Sequence, residues 1–437
     1  MTVREIALKL LLEYEASGKY VNLSLSSHIA DSLTREERSL LTVLLYTTVE
    51  RKLTYDYYIA SISGRGLDKI KPHTLGILRL GMCQLTAMSS IPPHAAVNET
   101  VKLARDVGER SFVNGILRRA AALAAEGALP LPDGHKSKAR YLSVKESFPL
   151  STVKRLVSLF GLEATERLLE FFNNDRHTDL TVNLQRLSRG ELIARLSEDG
   201  IEAAPSPLNS LTVRIPTSLD PRALRGFSEG DFLVQDAASA SAAEVAGAKE
   251  GETVLDVCSA PGGKSFASAI LSRDRARIIS SDIHDSKLSL IESGRDRLGL
   301  SSIEVRAGDA TVTDPELIGE CDLVICDVPC SGLGVLGKKP DLRYKSVEVD
   351  QLTALQYSIL KTSAKYPRLG GRLLYSTCTL DPRENEEQLA RFLSEHEDFA
   401  PCDFTLGEYS SKDGALTLLP HIHGTDGFFI SLIKRVK

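Results

Sequence analysis

Thr253-Val254-Leu255-Asp256-Val257-Cys258-Ser259-Ala260-Pro261-Gly262-Gly263-Lys264-Ser265-Phe266-Ala267 reads as a strand, a tight turn and the opening of a helix. The apolar run Val254–Val257 has the pattern of a buried strand. The turn from Ser259 to Gly263 exposes backbone N–H groups, and Phe266, Ala267, Ala269 and Ile270 open the helix behind it. A strand, a glycine turn and a helix in that order predict an open, doubly wound α/β sheet with its ligand crevice at the carboxyl ends of the strands. Gly263-Lys264-Ser265 imitates the end of a phosphate-binding loop. That motif needs a glycine at position 258, where Cys258 stands, so an ATPase is disfavoured.

Working outward, Arg277-Ile278-Ile279-Ser280-Ser281 is a strand ending at Asp282, 19 residues beyond Gly263. A carboxylate there can accept hydrogen bonds from both hydroxyls of a ribose. Ile303–Arg306 is a further strand leading to Gly308-Asp309-Ala310, whose acid suits an adenine amino group. One acidic strand end is ordinarily a solvated turn residue, but a series of them after a glycine turn fits an adenosine-containing cofactor. This spacing alone does not separate NAD from S-adenosylmethionine.

Two later strands, Leu323–Cys326 and Leu373–Tyr375, run at once into Asp327-Val328-Pro329-Cys330-Ser331-Gly332 and Ser376-Thr377-Cys378-Thr379. A cysteine at a strand end is most often a small buried hydrophobe. The Pro-Cys and Thr-Cys contexts favour a nucleophile instead. Cys321, Cys326 and Cys330 invite a zinc reading, but Cys326 lies within the apolar strand and no close histidine completes a ligand set, so no metal is expected. Cys83 and Cys402 read as structural.

The 437 residues, 42% hydrophobic and 25% charged, suit two or three globular domains. No apolar run approaches the ~18 residues of a membrane span. Met1-Thr2-Val3-Arg4-Glu5 lacks a signal-peptide pattern, and seven cysteines, an odd number, suit reduced thiols, so a cytoplasmic protein is expected. Residues 1–140 hold 19 Lys and Arg against 14 Asp and Glu, a net +5 within a chain of net −5. A basic half is either an ordinary solvated surface or a nucleic-acid contact. Helical spacing in Ile6-Ala7-Leu10-Leu11, Leu40-Leu41-Leu44-Leu45 and Leu75-Ile77-Leu78-Leu80 marks an all-α domain over 1–135, ending in the Pro- and Gly-containing stretch 128–135. A helix, a strand at 179–183, a helix at 189–198 and a strand at 211–215 predict a small α/β module over 140–225, before the doubly wound domain at 226–437.

Asp256–Lys264, Asp327–Gly332, Tyr375–Cys378 and Glu384-Asn385-Glu386 resemble the motif set of the RNA cytosine-C5 methyltransferases that use S-adenosylmethionine. Pro92–Thr100 with Phe112-Val113-Asn114-Gly115-Ile116-Leu117-Arg118-Arg119 resembles the NusB-like helical RNA-binding domain. The combination is similar to the RsmB (Sun) type, which acts on 16S ribosomal RNA, and Gln235-Asp236 and Gly424-Thr425-Asp426-Gly427-Phe428-Phe429 match it too. The resemblance implies a Rossmann-like catalytic domain that binds S-adenosylmethionine through Cys258, Ser259, Ala260, Pro261, Gly262, Gly263, Lys264, Asp282, Asp309 and Asp327. It implies Cys378 as the nucleophile, Cys330 as the residue assisting proton loss and release, and Asp327 at the N3 side of the base. Lys338, Lys339 and Arg343, directly after Cys330, and Arg118 and Arg119 are the expected RNA contacts of a monomer. Ser259 and Val328 stand where the family usually has alanine, and Gly337–Asp341 replaces a more arginine-rich loop. Rival readings are a DNA cytosine-C5 methyltransferase, with Cys330 as nucleophile, a transfer-RNA methyltransferase of the same mechanism, and a non-catalytic RNA-binding or antitermination factor.

Overall fold

The computed structural model describes residues 1–17, 33–174, 177–216, 220–345 and 347–437. They divide into two compact units, residues 1–173 with 338–345, and residues 174–337 with 346–437.

The first unit is helical: α1 (Val3–Ser17), α2 (Arg35–Glu50), α3 (Lys52–Ser63), α4 (Pro72–Ala87), α5 (Pro93–Val101), α6 (Val107–Ala125), α7 (Lys138–Lys145), α8 (Leu150–Phe160) and α9 (Leu162–Asn174). Helix α2 starts at a capping box in which the Thr34 hydroxyl accepts from Glu37 N–H and the Glu37 carboxylate accepts from Thr34 N–H. Helix α5 starts with Pro93 in its first turn, where a missing N–H costs nothing. The stripes expected from sequence meet in one core containing Ile6, Leu10, Leu11, Leu41, Leu44, Leu45, Ile77, Leu78 and Leu80. Residues 128–135 carry no regular element, yet the unit continues past them through three further helices to residue 173.

The second unit opens with a four-stranded antiparallel sheet of β1 (His177–Val182), β2 (Ala204–Pro205), β3 (Thr212–Pro216) and β4 (Phe232–Val234), in the order β2-β3-β1-β4. Helix α10 (Arg189–Glu198), held at its start by a Ser188–Glu191 capping box, packs Leu192 and Leu196 against Leu180, Val213 and Phe232.

The larger sheet is built from α11 (Ala237–Ala246), β5 (Thr253–Asp256), α12 (Gly263–Leu271), β6 (Arg277–Asp282), α13 (Asp285–Leu298), β7 (Ile303–Ala307), β8 (Cys321–Asp327), α14 (Val349–Ser363), β9 (Pro367–Thr377), α15 (Glu386–Glu395) and β10 (Phe399–Pro401). A short hairpin of β11 (Thr405–Leu406) and β12 (Tyr409–Ser410) follows, then β13 (Ala415–Leu418), α16 (Pro420–His423) and β14 (Phe428–Arg435). The strand order is β10-β14-β9-β8-β5-β6-β7, with β13 also paired to β14. Strands β5 to β9 run parallel, whereas β14 returns antiparallel along β9. Apolar clusters pack against this sheet, one including Phe266, Ile278 and Leu323, another Val324, Leu373 and Phe392. Order reverses at β5, between β6 and β8, so the ligand crevice of this fold opens beyond Asp256 and Asp327.

Candidate active site

Parallel pairing places the carboxyl ends of β5 to β9 on one edge, and every acid singled out from the sequence lies there. At the turn after β5, Gly262 has φ +107°, and a Cβ on it would sit 2.4 Å from the Phe266 ring, so only glycine lets α12 start there. The Ser259 N–H and hydroxyl both donate to the Ser281 carbonyl, at 2.9 and 3.0 Å. Asp282 accepts from Ala260 N–H at 3.1 Å through one oxygen and from His284 N–H at 3.0 Å through the other. A carboxylate offers about four acceptor positions, so two remain for ribose hydroxyls. A cavity of about 220 Å³ adjoins, lined by Val257, Ser281, Gly308, Asp309 and Val312 among others. Asp309 is exposed, and hydrogen bonds from the Thr311 hydroxyl and N–H lower its pKa below the usual carboxylate value. Turn, oriented carboxylate and cavity together fit an adenosyl group. Asp256 lies behind the turn; burial pushes its carboxyl up to about 7, against the Ser265 hydroxyl bond at 2.8 Å, which lowers it.

The two cysteines meet: Cys330 Sγ lies 3.3 Å from Cys378 Sγ. The strand register explains it, since β8 and β9 pair Asp327 with Ser376 and both loops leave the sheet side by side. The Cys378 hydrogen bond, then burial, raise the Cys330 thiol well above its ordinary value, and either sulfur can be the donor across the pair.

Asp327 is gripped from both sides. Its Oδ2 accepts from Lys264 Nζ at 2.7 Å and its Oδ1 from the Ser376 hydroxyl at 2.8 Å. Lys264 is only 5% exposed; it also donates to Ser239 at 3.0 Å and lies 4.9 Å from the centre of the Phe428 ring. Assigned from sequence to the cofactor loop, Lys264 thus turns its ammonium to the carboxylate beside the thiols. No local spacing signals this, because the partners are 63 residues apart.

Cys321 and Cys326 are buried thiols pushed up to about 12 mainly by burial. Among the described residues the one group with metal-ligand spacing is His177, Asp179 and Asp236. There Asp179 accepts from Arg214 Nε at 3.2 Å and from Ala237 N–H at 3.0 Å.

Arg118 and Arg119 are exposed on α6, and Lys338 and Lys339 are exposed after the Cys330 loop. Arg343 departs from expectation. Its guanidinium is 3.9 Å from the centre of the Phe148 ring, donates to the Glu50 carbonyl at 3.3 Å and lies 3.7 Å from the Glu50 carboxylate. With 3% of its surface exposed, it is a structural group inside the helical unit and is not presented to RNA. A basic residue in a polar loop gives no sign from sequence that it will be drawn into a core.

No helix among the described residues is long and apolar enough to cross a membrane. The family described as 16S rRNA methyltransferase RsmB/F matches residues 244–434, the NusB family residues 1–122, and a Methyltr_RsmF/B-like ferredoxin-like domain residues 148–220. A protein of Bacillus subtilis (strain 168) named probable ribosomal RNA small subunit methyltransferase B is 35% identical over 455 residues, covering 99% of each chain. A Synechocystis sp. protein of the same name is 35% identical over 451 residues and covers all of both chains. Among solved structures, that of PH0851 superposes with a TM-score of 0.79 at 25% identity, covering 100% of this chain and 99% of that one. NSun6 from Pyrococcus horikoshii with SFG gives a TM-score of 0.60 at 22% identity, over 67% of this chain and 99% of that one. The crevice with its paired thiols falls inside the match to residues 244–434, and the relatives align with this chain from end to end at 35% identity, so the chain belongs to the RsmB/F family of 16S rRNA methyltransferases.

Proposed function

We propose that the chain methylates C5 of a cytosine in 16S ribosomal RNA through a covalent bond between Cys378 and C6 of the base. The observation that carries this reading is the 3.3 Å thiol pair beside an aspartate fixed by a buried lysine, at the crevice end of a glycine-turn sheet. Cytosine C5 is a poor nucleophile because attack sacrifices ring conjugation. Addition of the Cys378 thiolate at C6 makes the ring an enamine with carbanion character at C5. S-adenosylmethionine, which the turn 258–264, Asp282 through the ribose and Asp309 through the adenine would hold, would supply the methyl group to C5 and leave as S-adenosylhomocysteine. Cys330 assists removal of the C5 proton; the C6–S bond then breaks, the thiolate leaves and the ring is restored. Asp327, kept in place by Lys264 and Ser376, is set to hydrogen-bond the N3 edge of the base.

Asp282→Ala is expected to weaken S-adenosylhomocysteine binding in calorimetry by roughly 1–3 kcal/mol, the loss of two hydroxyl bonds to a charged acceptor. Unchanged affinity removes Asp282 from the ribose site.

In this reading residues 1–135 bring RNA, 140–225 form a connecting module and 226–437 carry the chemistry, in a cytoplasmic monomer. Replacing Arg118 and Arg119 together with alanine is expected to weaken RNA binding several-fold at moderate salt. It should also reduce the slope of log affinity against log salt by about 2, one phosphate contact per arginine. Identical affinity and slope would place the RNA elsewhere. Bisulfite mapping of ribosomal RNA from cells lacking the protein tests the whole proposal: one 16S cytosine should lose its protection, whereas loss confined to transfer RNA would favour the rival substrate.

A further inference from the structure

Glu384 is fully buried and takes no part in the chemistry described above. Four donors converge on its carboxylate: Ser331 N–H at 2.9 Å, the Ser331 hydroxyl at 2.5 Å, the Gln356 side-chain amide at 2.9 Å and the Thr379 hydroxyl at 3.3 Å. Ser331 follows Cys330 and Thr379 follows Cys378, and their hydroxyls are 2.7 Å apart. Gln356 also donates to the Pro329 carbonyl at 2.9 Å, so the residues on both sides of Cys330 are tied to this one acid.

The ties are uneven. The short bonds reach the Cys330 loop, directly or through Gln356, while Thr379 makes the longest. Cys378 has supports outside the Cys330 loop: it directly follows β9, and the Asn385 amide donates to the Thr379 carbonyl at 3.0 Å. Removing the Glu384 acceptor leaves Ser331 N–H and the Gln356 amide to find new partners in a buried site, which moves the Cys330 loop first.

We infer that Glu384 is a positioning residue for the second half of the reaction, holding Cys330 at its working distance from Cys378 while the attack by Cys378 depends little on it. This rests on the cysteine roles given above. Weakening Glu384 therefore imitates the loss of Cys330: the adduct forms but resolves slowly.

The test uses the full-length protein, ribosomal RNA and S-adenosylmethionine with Glu384→Gln, Ser331→Ala and Cys330→Ala. Ser331→Ala removes only one hydroxyl and guards against a Glu384 variant that fails to fold. Turnover should fall on the order of ten- to a hundredfold in Glu384→Gln and less in Ser331→Ala, as expected for a misplaced reacting group. In both, RNA-linked protein should rise above wild type on denaturing gels. A second readout is independent of the cysteine roles. Diamide, a dithiol oxidant, should join Cys330 to Cys378 quickly in the wild type and several-fold more slowly in the Glu384 and Ser331 variants, as mapped by peptide mass spectrometry. Wild-type closure rates would overturn the positioning role. Slowed closure with RNA-linked protein in Cys330→Ala alone would overturn its assignment to the second half-reaction. If Cys330→Ala traps nothing, the cysteine assignment itself falls, and the closure rate still decides whether Glu384 sets the loop.

Discussion

Cys378→Ala is expected to abolish turnover and every covalent protein–RNA species, whereas Cys330→Ala should accumulate RNA-linked protein that survives denaturing electrophoresis. The thiols are 3.3 Å apart, so proximity does not separate their roles; the step each controls does. In the proposed mechanism no bond to C6 begins without the Cys378 sulfur, and loss of a nucleophile costs on the order of 10⁶-fold, below detection in practice. Without Cys330 the attack and methyl transfer proceed, but removal of the C5 proton stalls and the C6–S bond persists. The mutant that is slow for lack of a resolving group is thus the one that shows the adduct. Crosslinking in Cys378→Ala together with its absence in Cys330→Ala would reverse the assignment, as in the DNA-methyltransferase arrangement, and leave a cytosine methyltransferase intact.

Asp327→Asn should separate chemistry from stability. The asparagine keeps the shape and a carbonyl for the Ser376 hydroxyl, but it leaves the buried Lys264 ammonium facing a neutral amide instead of a carboxylate at 2.7 Å. Breaking a buried pair costs about 3–5 kcal/mol; the Asp327 side chain is 33% exposed, so about 1–3 kcal/mol is expected after allowing for screening. Turnover should fall more, on the order of 10²- to 10³-fold, because a group fixed at the base edge where charge develops acts mainly in the transition state. Lys264→Met should lower turnover for the converse reason, by releasing Asp327 from its orientation. Denaturant melts and single-turnover methylation distinguish the two quantities. If Asp327→Asn retains turnover within about threefold while the melt shifts, the pair is only structural.

The local elements were legible from residues 253–267 outward because each depends on neighbours in sequence. Short continuous apolar runs make β5 and β6, the glycine at φ +107° lets α12 start, and helical spacing makes the core of the first unit. The strand-end spacing supplied roles for Asp282 and Asp309, and the resemblance then supplied those of Cys330, Cys378 and Asp327. Helices α7 to α9 pack with the helical unit, while the ferredoxin-like family match covers 148–220; helix–helix packing across a linker leaves no local signal.

By itself the sequence determined which segments become strands, turns and helices, and which residue types stand at the strand ends. Only the tertiary structure decided who meets whom. Pairing Asp327 with Ser376 across β8 and β9 brings together cysteines 48 residues apart, and the order β8-β5 sets the Lys264 turn beside Asp327. The same is true of Glu384, which binds both cysteine loops, and of Arg343, drawn onto Glu50 and Phe148. The physical reason is range: backbone propensity and side-chain period act over a few residues, whereas these contacts follow from strand register and burial, which are satisfied only when the whole sheet and its helices close together.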